Sequence, residues 1–272
     1  MTNPKILLDQ YNLMPKKSLG QNFLHDPNAL EKIVSTADLM PEDTVVEIGP
    51  GTGALTRALA EKVRHVFSIE IDDRMRPILE GELAPYNNVY LVFEDILKVD
   101  VLGLVGEREY VVVANVPYYI TSAILRHLLE VPRRPRSIVL TIQNEVAERI
   151  IAQPGDMSLL AVSVQFYGKP EIATRLKAGA FWPRPDVDSA VIRIDTYETL
   201  PFEVPSTDLF FRVVKAGFSQ KRKQLRNALS GGLGIKTQAG GELLEAAGID
   251  PTRRAETLTI EEWARLTQVY SA

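Results

Sequence analysis

Four consecutive residues, Asn115-Val116-Pro117-Tyr118, combine two hydrogen-bond acceptors with an aromatic ring. The acceptors are the side-chain oxygen of Asn115 and the carbonyl of Val116, whose direction Pro117 fixes by restricting the preceding backbone. Two acceptors aimed at the N–H bonds of a conjugated amine, such as adenine N6, would favour a tetrahedral nitrogen as positive charge develops. Tyr118 offers a flat face on which the base could stack. The tetrapeptide therefore predicts methyl transfer to an exocyclic amine.

A base within a nucleic-acid helix must be flipped out to reach such a site, so a second aromatic wall is expected. Phe181, just before the stiff turn Pro183-Arg184-Pro185, is the candidate. A lone phenylalanine is more often a core residue, and residue type alone leaves that alternative open. No proton-abstracting base is required, because a methylated amine is acidic enough to lose its proton to water. Catalysis would then depend on positioning and on the two acceptors.

The elements that position these groups begin in the segment 44–59. An apolar run at 45–48 predicts a buried strand, three glycines follow at Gly49, Gly51 and Gly53, and a helical pattern comes next. Glycine reaches positive φ at no steric cost and lets a ligand lie against bare backbone. Strand, glycine turn and helix together predict the first step of a nucleotide-binding βαβ unit.

The glycine spacing departs from the dinucleotide fingerprint G-x-G-x-x-G. Pro50 removes one backbone N–H donor, which suits a ligand with fewer phosphate oxygens. Glu70 closes the next predicted strand, where its carboxylate could accept both hydroxyls of a ribose. The pattern favours S-adenosylmethionine (SAM) over NAD, with a purely structural turn as the remaining alternative. Asp95, after the third strand, is either an acceptor for an adenine amino group or a solvated loop carboxylate.

Strands and helices alternate along most of the chain, which predicts a Rossmann-like α/β fold with a mostly parallel sheet. Two late strands, 171–176 and 190–195, are too close in sequence for a parallel crossover, so antiparallel pairing is expected at one edge. We predict a cofactor-binding domain over residues 1–200 and a helical domain over 201–272.

Composition excludes several kinds of chemistry. The chain has 272 residues and no cysteine, so disulfides, cysteine-ligated metals and thiolate nucleophiles are absent. Its three scattered histidines make no plausible metal triad, and we expect no metal site. No apolar run approaches the ~18 residues of a membrane span, and the N-terminus lacks a signal-peptide pattern. We expect a cytoplasmic protein with no membrane partner.

A net charge of −4 argues at first against a nucleic-acid partner. Basic residues nevertheless occur without any acidic residue between Leu209 and Gly241: Arg212, Lys215, Lys221, Arg222, Lys223, Arg226 and Lys236. A solvated helix face is the ordinary explanation for such a run. The unbroken single sign in an acidic protein favours phosphate binding, with Lys221, Arg222, Lys223 and Arg226 as the candidate RNA contacts.

Several motifs occur in an order that resembles the rRNA adenine N6,N6-dimethyltransferase family. They are Gln21-Asn22-Phe23-Leu24, the glycine segment 47–53, the tetrapeptide 115–118 and the segment 181–189. The segment 218–227 is similar to the bacterial small-subunit (16S) branch of that family. The similarity extends from about Lys16 to Leu266. Val116 is a small departure, since the family often has leucine there.

The resemblance implies a SAM cofactor held by Asn22, Leu24, Gly49, Gly51, Glu70, Asp95 and Asn115. By residue type alone Asn22 is a turn former, whereas the resemblance makes it a cofactor-binding residue. The resemblance also implies that two adjacent adenosines in a small-subunit rRNA hairpin are each methylated twice, on an immature 30S subunit. We expect a monomer.

Three alternatives share some of these features. Large-subunit rRNA dimethyltransferases of macrolide resistance share the first domain, but the segment 218–227 argues against them. N6-adenine DNA methyltransferases and glutamine methyltransferases use a related Asn/Asp-Pro-Pro-Tyr site, but Pro117 is single here and the basic segment is unexplained. An assembly factor whose main role is binding belongs to another class, and the sequence does not exclude it.

Overall fold

The computed structural model describes residues 3–117 and 120–272. Its strands are β1 (Phe23–Leu24), β2 (Thr44–Ile48), β3 (His65–Glu70), β4 (Val89–Phe93), β5 (Tyr110–Asn115), β6 (Ser137–Gln143), β7 (Gly168–Leu176), β8 (Phe181–Trp182) and β9 (Ser189–Thr196). Seven of them form one sheet in the order β4-β3-β2-β5-β6-β9-β7, and β1 pairs with β8 separately. The first five strands in this order, β4, β3, β2, β5 and β6, are parallel to one another. Strand β9 runs antiparallel to β6. The predicted Rossmann-like, mostly parallel sheet is therefore confirmed.

Burial along the strands explains their positions in the sheet. Every residue of β2 is buried, and β5 is buried except at its last residue, Asn115. Continuous burial of this kind is typical of central parallel strands that are covered on both faces. In β7 exposed and half-buried residues alternate between two buried ends, which is typical of a strand with one more solvated face. This strand lies at the edge of the sheet, next to β9.

The helices are α1 (Pro4–Gln10), α2 (Pro27–Thr36), α3 (Ala54–Ala60), α4 (Arg76–Leu83), α5 (Val101–Val105), α6 (Thr121–Leu129), α7 (Asn144–Ile150), α8 (Leu159–Gln165), α9 (Thr207–Phe218), α10 (Leu225–Leu233), α11 (Thr237–Ala246) and α12 (Ile260–Ser271). Their starts follow local capping chemistry. Asp26 accepts hydrogen bonds from two backbone N–H groups at the start of α2. Thr259 and Glu262 form a reciprocal capping box at the start of α12. No helix in the described ranges is long and apolar enough to cross a membrane.

The chain divides into two compact units. The first comprises Met1–Ala147 and Pro170–Thr196, and the second comprises Glu148–Lys169 and Tyr197–Ala272. In the second unit the ring of Phe166 stacks on that of Phe210 at a centroid distance of 4.3 Å. This contact joins positions far apart in sequence, so residues 148–169 pack with the C-terminal helices although the predicted boundary near residue 200 puts them in the first domain.

Candidate active site

A cavity lies in the first unit, where the parallel strands β2 to β5 end. It contains about 1070 Å³ of space, its open mouth included, and its walls come from the segments 19–24, 48–52, 69–71, 94–96 and 115–117. Ligands bind at this edge of open α/β sheets, because the loops that leave the strand ends surround a crevice there. The cavity therefore lies where the sequence predicts a cofactor.

The glycine turn forms one wall with bare backbone. Gly49 and Gly51 have φ angles of 73° and 57°, in the region that side chains rarely adopt. A Cβ on Gly49 would lie 3.3 Å from the backbone oxygen of Asn115, and one on Gly51 would lie 2.9 Å from the ring of Phe23. Both positions thus require glycine for conformation and for space.

Glu70 is the last residue of β3 and has only 5% of its surface exposed. Its Oε1 accepts a hydrogen bond from the backbone N–H of Asp72 at 2.8 Å, and its Oε2 accepts one from the N–H of Gly51 at 3.3 Å. Burial raises the pKa of this carboxyl to about 7, although the two N–H donors oppose the shift. Glu70 is therefore a fixed acceptor at the wall of the cavity.

Asp95 follows β4, the strand beside β3, and is half-buried. Its Oδ1 accepts a hydrogen bond from the N–H of Leu97 at 3.0 Å and so caps a short turn. Asp95 lines the same cavity as Glu70. The structure brings these two predicted acceptors to neighbouring strand ends, with Oδ2 of Asp95 without a hydrogen-bond partner among the described residues.

A second carboxyl, Glu47 in β2, is fully buried beneath the glycine turn. Its Oε2 accepts a hydrogen bond from the hydroxyl of Ser68 in β3 at 2.6 Å. Burial raises the pKa of Glu47 to about 7. Glu47 does not line the cavity, so its contact ties two central strands together instead of facing a ligand.

Asn115 ends β5, the strand beside β2, and lines the cavity next to the glycine turn. Its Nδ2 donates a hydrogen bond to the backbone oxygen of Asn22 at 3.3 Å. Because the amide nitrogen is committed to this contact, Oδ1 is the end that remains to accept a hydrogen bond from a ligand. The structure thus joins Asn115 to Asn22, two of the predicted site residues.

The rest of the tetrapeptide is described only in part. Val116 and Pro117 line the cavity, and the side chain of Val116 is buried. Tyr118 lies outside the described residues, so its predicted stacking role stays a prediction.

Phe181 is packed in the core. Its exposure is 3%, it belongs to a cluster that includes Leu24 and Leu176, and it pairs with Leu24 across β1 and β8. It is not among the residues that line the cavity. Trp182 is half-buried and stacks on Phe23 at a centroid distance of 6.5 Å. The role of Phe181 as a base-stacking wall stays a prediction.

The candidate RNA contacts lie in the second unit, at the turn between α9 and α10. Lys221, Arg222 and Lys223 are exposed and have no ion-pair partner among the residues described. Arg226 is half-buried in α10, and its Nε is buried without a hydrogen-bond partner in the described chain. The turn therefore presents three unneutralised positive charges to solvent.

Sequence analysis missed several residues of the cavity region, among them Gln21, Ile71, Asp72 and Ile96. Ile71 and Ile96 directly follow Glu70 and Asp95, and both line the cavity. An acidic residue followed by isoleucine occurs at the end of two neighbouring strands, and this repeated pattern could have indicated both isoleucines. Gln21 also lines the cavity and contacts Asp72, which is 51 positions away in sequence, so nothing local indicated that pair.

The residues present fit a nucleoside cofactor. Buried Glu70 supplies acceptors for ribose hydroxyls, Asp95 supplies an acceptor for an amino group, and apolar Ile71 and Ile96 lie next to them in sequence. Gly49 and Gly51 line the cavity with backbone that carries no side chain. Across the residues described, no cluster of three or more metal-ligating side chains occurs.

Comparison with known proteins identifies the family of the chain. Residues 12–271 match the family model described as ribosomal RNA adenine dimethylase. The chain is 45% identical to "Ribosomal RNA small subunit methyltransferase A" of Dehalococcoides mccartyi over 272 residues, which cover 100% of this chain and 94% of the relative.

Two solved structures are also similar. A dimethyladenosine transferase from Plasmodium falciparum superposes with a TM-score of 0.77 at 25% identity, covering 90% of this chain and 95% of that one. The 23S rRNA methyltransferase ErmE superposes with a TM-score of 0.72 at 28% identity, covering 92% and 100%. The chain therefore belongs to the ribosomal RNA adenine dimethylase family, as a methyltransferase that uses SAM.

Proposed function

We propose that this protein transfers methyl groups from SAM to N6 of two adjacent adenosines in a small-subunit (16S) rRNA hairpin, two to each adenosine. The observation that carries the proposal is the position of Asn115. Its amide lines the same cavity as Glu70 and Asp95, and its nitrogen is committed to Asn22. The free amide oxygen therefore lies beside the space for a cofactor, where an acceptor amine must come.

SAM, when bound, supplies an electrophilic methyl group. Glu70 and Asp95 would hold its ribose and its adenine amino group, while Asn22, Leu24, Gly49 and Gly51 would line the rest of the pocket. Ile71 and Ile96 would flank the adenine ring with apolar side chains. These contacts position the methyl group without taking part in its transfer.

On the acceptor side, Oδ1 of Asn115 and the carbonyl of Val116 would each accept a hydrogen bond from the adenine amino group. This geometry favours a tetrahedral nitrogen whose lone pair points at the methyl donor. Pro117 fixes the direction of the Val116 carbonyl. Tyr118 and Phe181 would stack on the flipped base, which requires that the ring of Phe181 be uncovered when RNA binds.

The choice of the small subunit rests on two observations. The relative from Dehalococcoides mccartyi is named for the small subunit and is 45% identical along the whole chain, whereas the large-subunit enzyme ErmE is 28% identical. The exposed basic turn, with Lys221, Arg222 and Lys223, would bind rRNA phosphates beside Arg226. We propose an immature 30S subunit in the cytoplasm as the substrate, and a monomer as the active form.

Methyl transfer from labelled SAM tests the proposal. The acceptors are immature 30S subunits that lack this modification, with large-subunit RNA and DNA as matched alternatives. We expect N6,N6-dimethyladenosine in small-subunit rRNA after nucleoside analysis. Transfer only to large-subunit RNA or DNA would contradict the proposed substrate. SAM binding with no transfer to any acceptor would favour an assembly factor.

A further inference from the structure

We propose that Gln21 and Asp72 are positioning residues. Their side-chain hydrogen bond holds the strap, which we define as residues 16–24, closed over the bound cofactor, and through the strap it sets the orientation of the Asn115 amide. The part of this inference that concerns Asn115 rests on the proposed function. The part that concerns cofactor retention depends on the cavity alone.

Gln21 uses both ends of its amide. Its Oε1 accepts a hydrogen bond from the backbone N–H of Lys16 at 2.7 Å, which closes the strap on itself. Its Nε2 donates to Oδ2 of Asp72 at 2.9 Å, which ties the strap to the turn after β3. Both ends of the Gln21 amide are therefore hydrogen-bonded, and one of the two contacts spans 51 positions of sequence. Gln21 does more than form a local turn.

Asp72 is a buried, ionised acceptor for this hydrogen bond. Only 4% of it is exposed, and its carboxylate also accepts hydrogen bonds from the guanidinium of Arg74 at 2.8 Å and 2.6 Å. The hydrogen bonds from Arg74 lower the pKa of Asp72, so the group is ionised at neutral pH. Hydrogen bonds to a charged acceptor are stronger than neutral ones, and their loss in a buried place is costly.

The same turn holds the candidate ribose acceptor. The backbone N–H of Asp72 donates to Oε1 of Glu70 at 2.8 Å. Asp72 therefore contacts Glu70 through its main chain and Gln21 through its side chain. The strap is thus fixed to the wall that would hold the cofactor ribose.

The other end of the strap reaches the acceptor side. The residue after Gln21, Asn22, accepts the hydrogen bond from Nδ2 of Asn115 with its backbone oxygen. Phe23 and Leu24 then pair with β8. Because pairing begins only at Phe23, Gln21 is the side chain that fixes the strap between its turn at Lys16 and the strand.

The first test is the dissociation rate of labelled SAM, chased with unlabelled SAM in the absence of RNA. We expect release to be roughly tenfold faster from Gln21→Ala than from the wild type, because a hydrogen bond to a charged group is lost. Gln10→Ala is the matched control, since Gln10 is an exposed glutamine of α1. An unchanged release rate in Gln21→Ala would overturn the proposal.

Variants that change charge distinguish the effect of losing this hydrogen bond from the effect of losing side-chain packing. Gln21→Glu places a second carboxylate against Asp72, and we expect still faster release than from Gln21→Ala. Adding Asp72→Asn restores the contact with donor and acceptor exchanged but removes one hydrogen bond from Arg74, so release should be slower than from Gln21→Glu without returning fully to the wild-type rate. If the double variant released SAM no more slowly than Gln21→Glu alone, the hydrogen bond would not be the cause.

The final readout is single-turnover methyl transfer at saturating SAM. We expect Gln21→Ala to be about tenfold slower than the wild type even there, because the Asn115 amide has lost its support. Normal transfer combined with fast SAM release would overturn the link to Asn115. If the wild type did not methylate small-subunit RNA, the proposed function would fail, while the release rates would still decide the role of Gln21 and Asp72.

Discussion

The two sides of the cavity are held by different kinds of contact. On the cofactor side, the wall is the backbone of the glycine turn, and Glu70 is a buried carboxylate that two backbone N–H groups hold. On the acceptor side, Asn115 is held by one 3.3 Å hydrogen bond to the strap, at Asn22. Backbone N–H groups of two turns hold the side chain on the first side, whereas the amide on the second side has one hydrogen bond to a separate segment.

This difference predicts that the two sides control different steps. Residues on the cofactor side are in place before a ligand arrives, so their loss should weaken binding. Residues on the acceptor side matter when charge develops on the amine, so their loss should slow transfer. Variants on each side should therefore change different kinetic steps.

The largest effect is expected for Asn115→Ala. Loss of the acceptor oxygen should slow methyl transfer by about 10²–10³-fold, as removal of one preorganised group at a reacting centre does. SAM affinity, measured by calorimetry, should change less than transfer. Asn28→Ala, on the exposed face of α2, is the control. Near-normal transfer by Asn115→Ala would remove this residue from the chemistry.

Glu70→Ala should weaken SAM binding by about 10–100-fold, because hydrogen bonds to a charged acceptor are lost. Calorimetry with SAM measures this directly. The exposed Glu80 of α4 provides a matched Glu→Ala control with no expected effect on SAM affinity. Unchanged affinity in Glu70→Ala would place the ribose elsewhere.

SAM affinity should depend on pH through the same group. The pKa of Glu70 is about 7 in the free protein, and ribose hydroxyls donate to its ionised form. Affinity is then full above pH 7 and falls by up to about tenfold per pH unit below it. Glu70→Gln should bind more weakly and with a flatter profile between pH 5.5 and 8, roughly the range over which this group titrates. A wild-type profile without a fall below pH 7 would contradict this role.

The smallest effect on transfer, but a clear one on RNA affinity, is expected at the basic turn. Charge reversal at Lys221, Arg222 and Lys223 should reduce the slope of log K for RNA binding against log salt concentration by about two or more. The reason is that fewer counterions are released on binding. The same reversal at exposed lysines of the first unit, Lys32 and Lys98, provides a control. An unaltered slope would mean that the turn is only a solvated surface.

Local patterns made much of the fold predictable. The apolar run of β2, the positive-φ glycines and the acid at the end of β3 are consecutive features of one βαβ unit, and the structure has them where expected. The helix Thr121–Leu129 and the capping box at Thr259 also follow from short-range pattern. Such features depend on neighbours within a few residues, so sequence alone contains them.

Contacts between distant segments were not predictable in this way. Residue type alone made Asn22 a turn former, and its contact with Asn115 spans 93 positions. The packing of Phe166 on Phe210 is equally non-local, which is why residues 148–169 were counted with the first domain. The burial of Phe181 depends on pairing between β1 and β8, which its own sequence does not reveal.

The most direct test of the division between the two sides is single-turnover methyl transfer with Glu70→Ala and Asn115→Ala, measured over a range of SAM concentrations. At saturating SAM, Glu70→Ala should recover to within a few-fold of the wild-type rate, because its defect is in binding. Asn115→Ala should stay slow at every concentration. Recovery of both variants, or of neither, would contradict the separation of cofactor binding from acceptor activation.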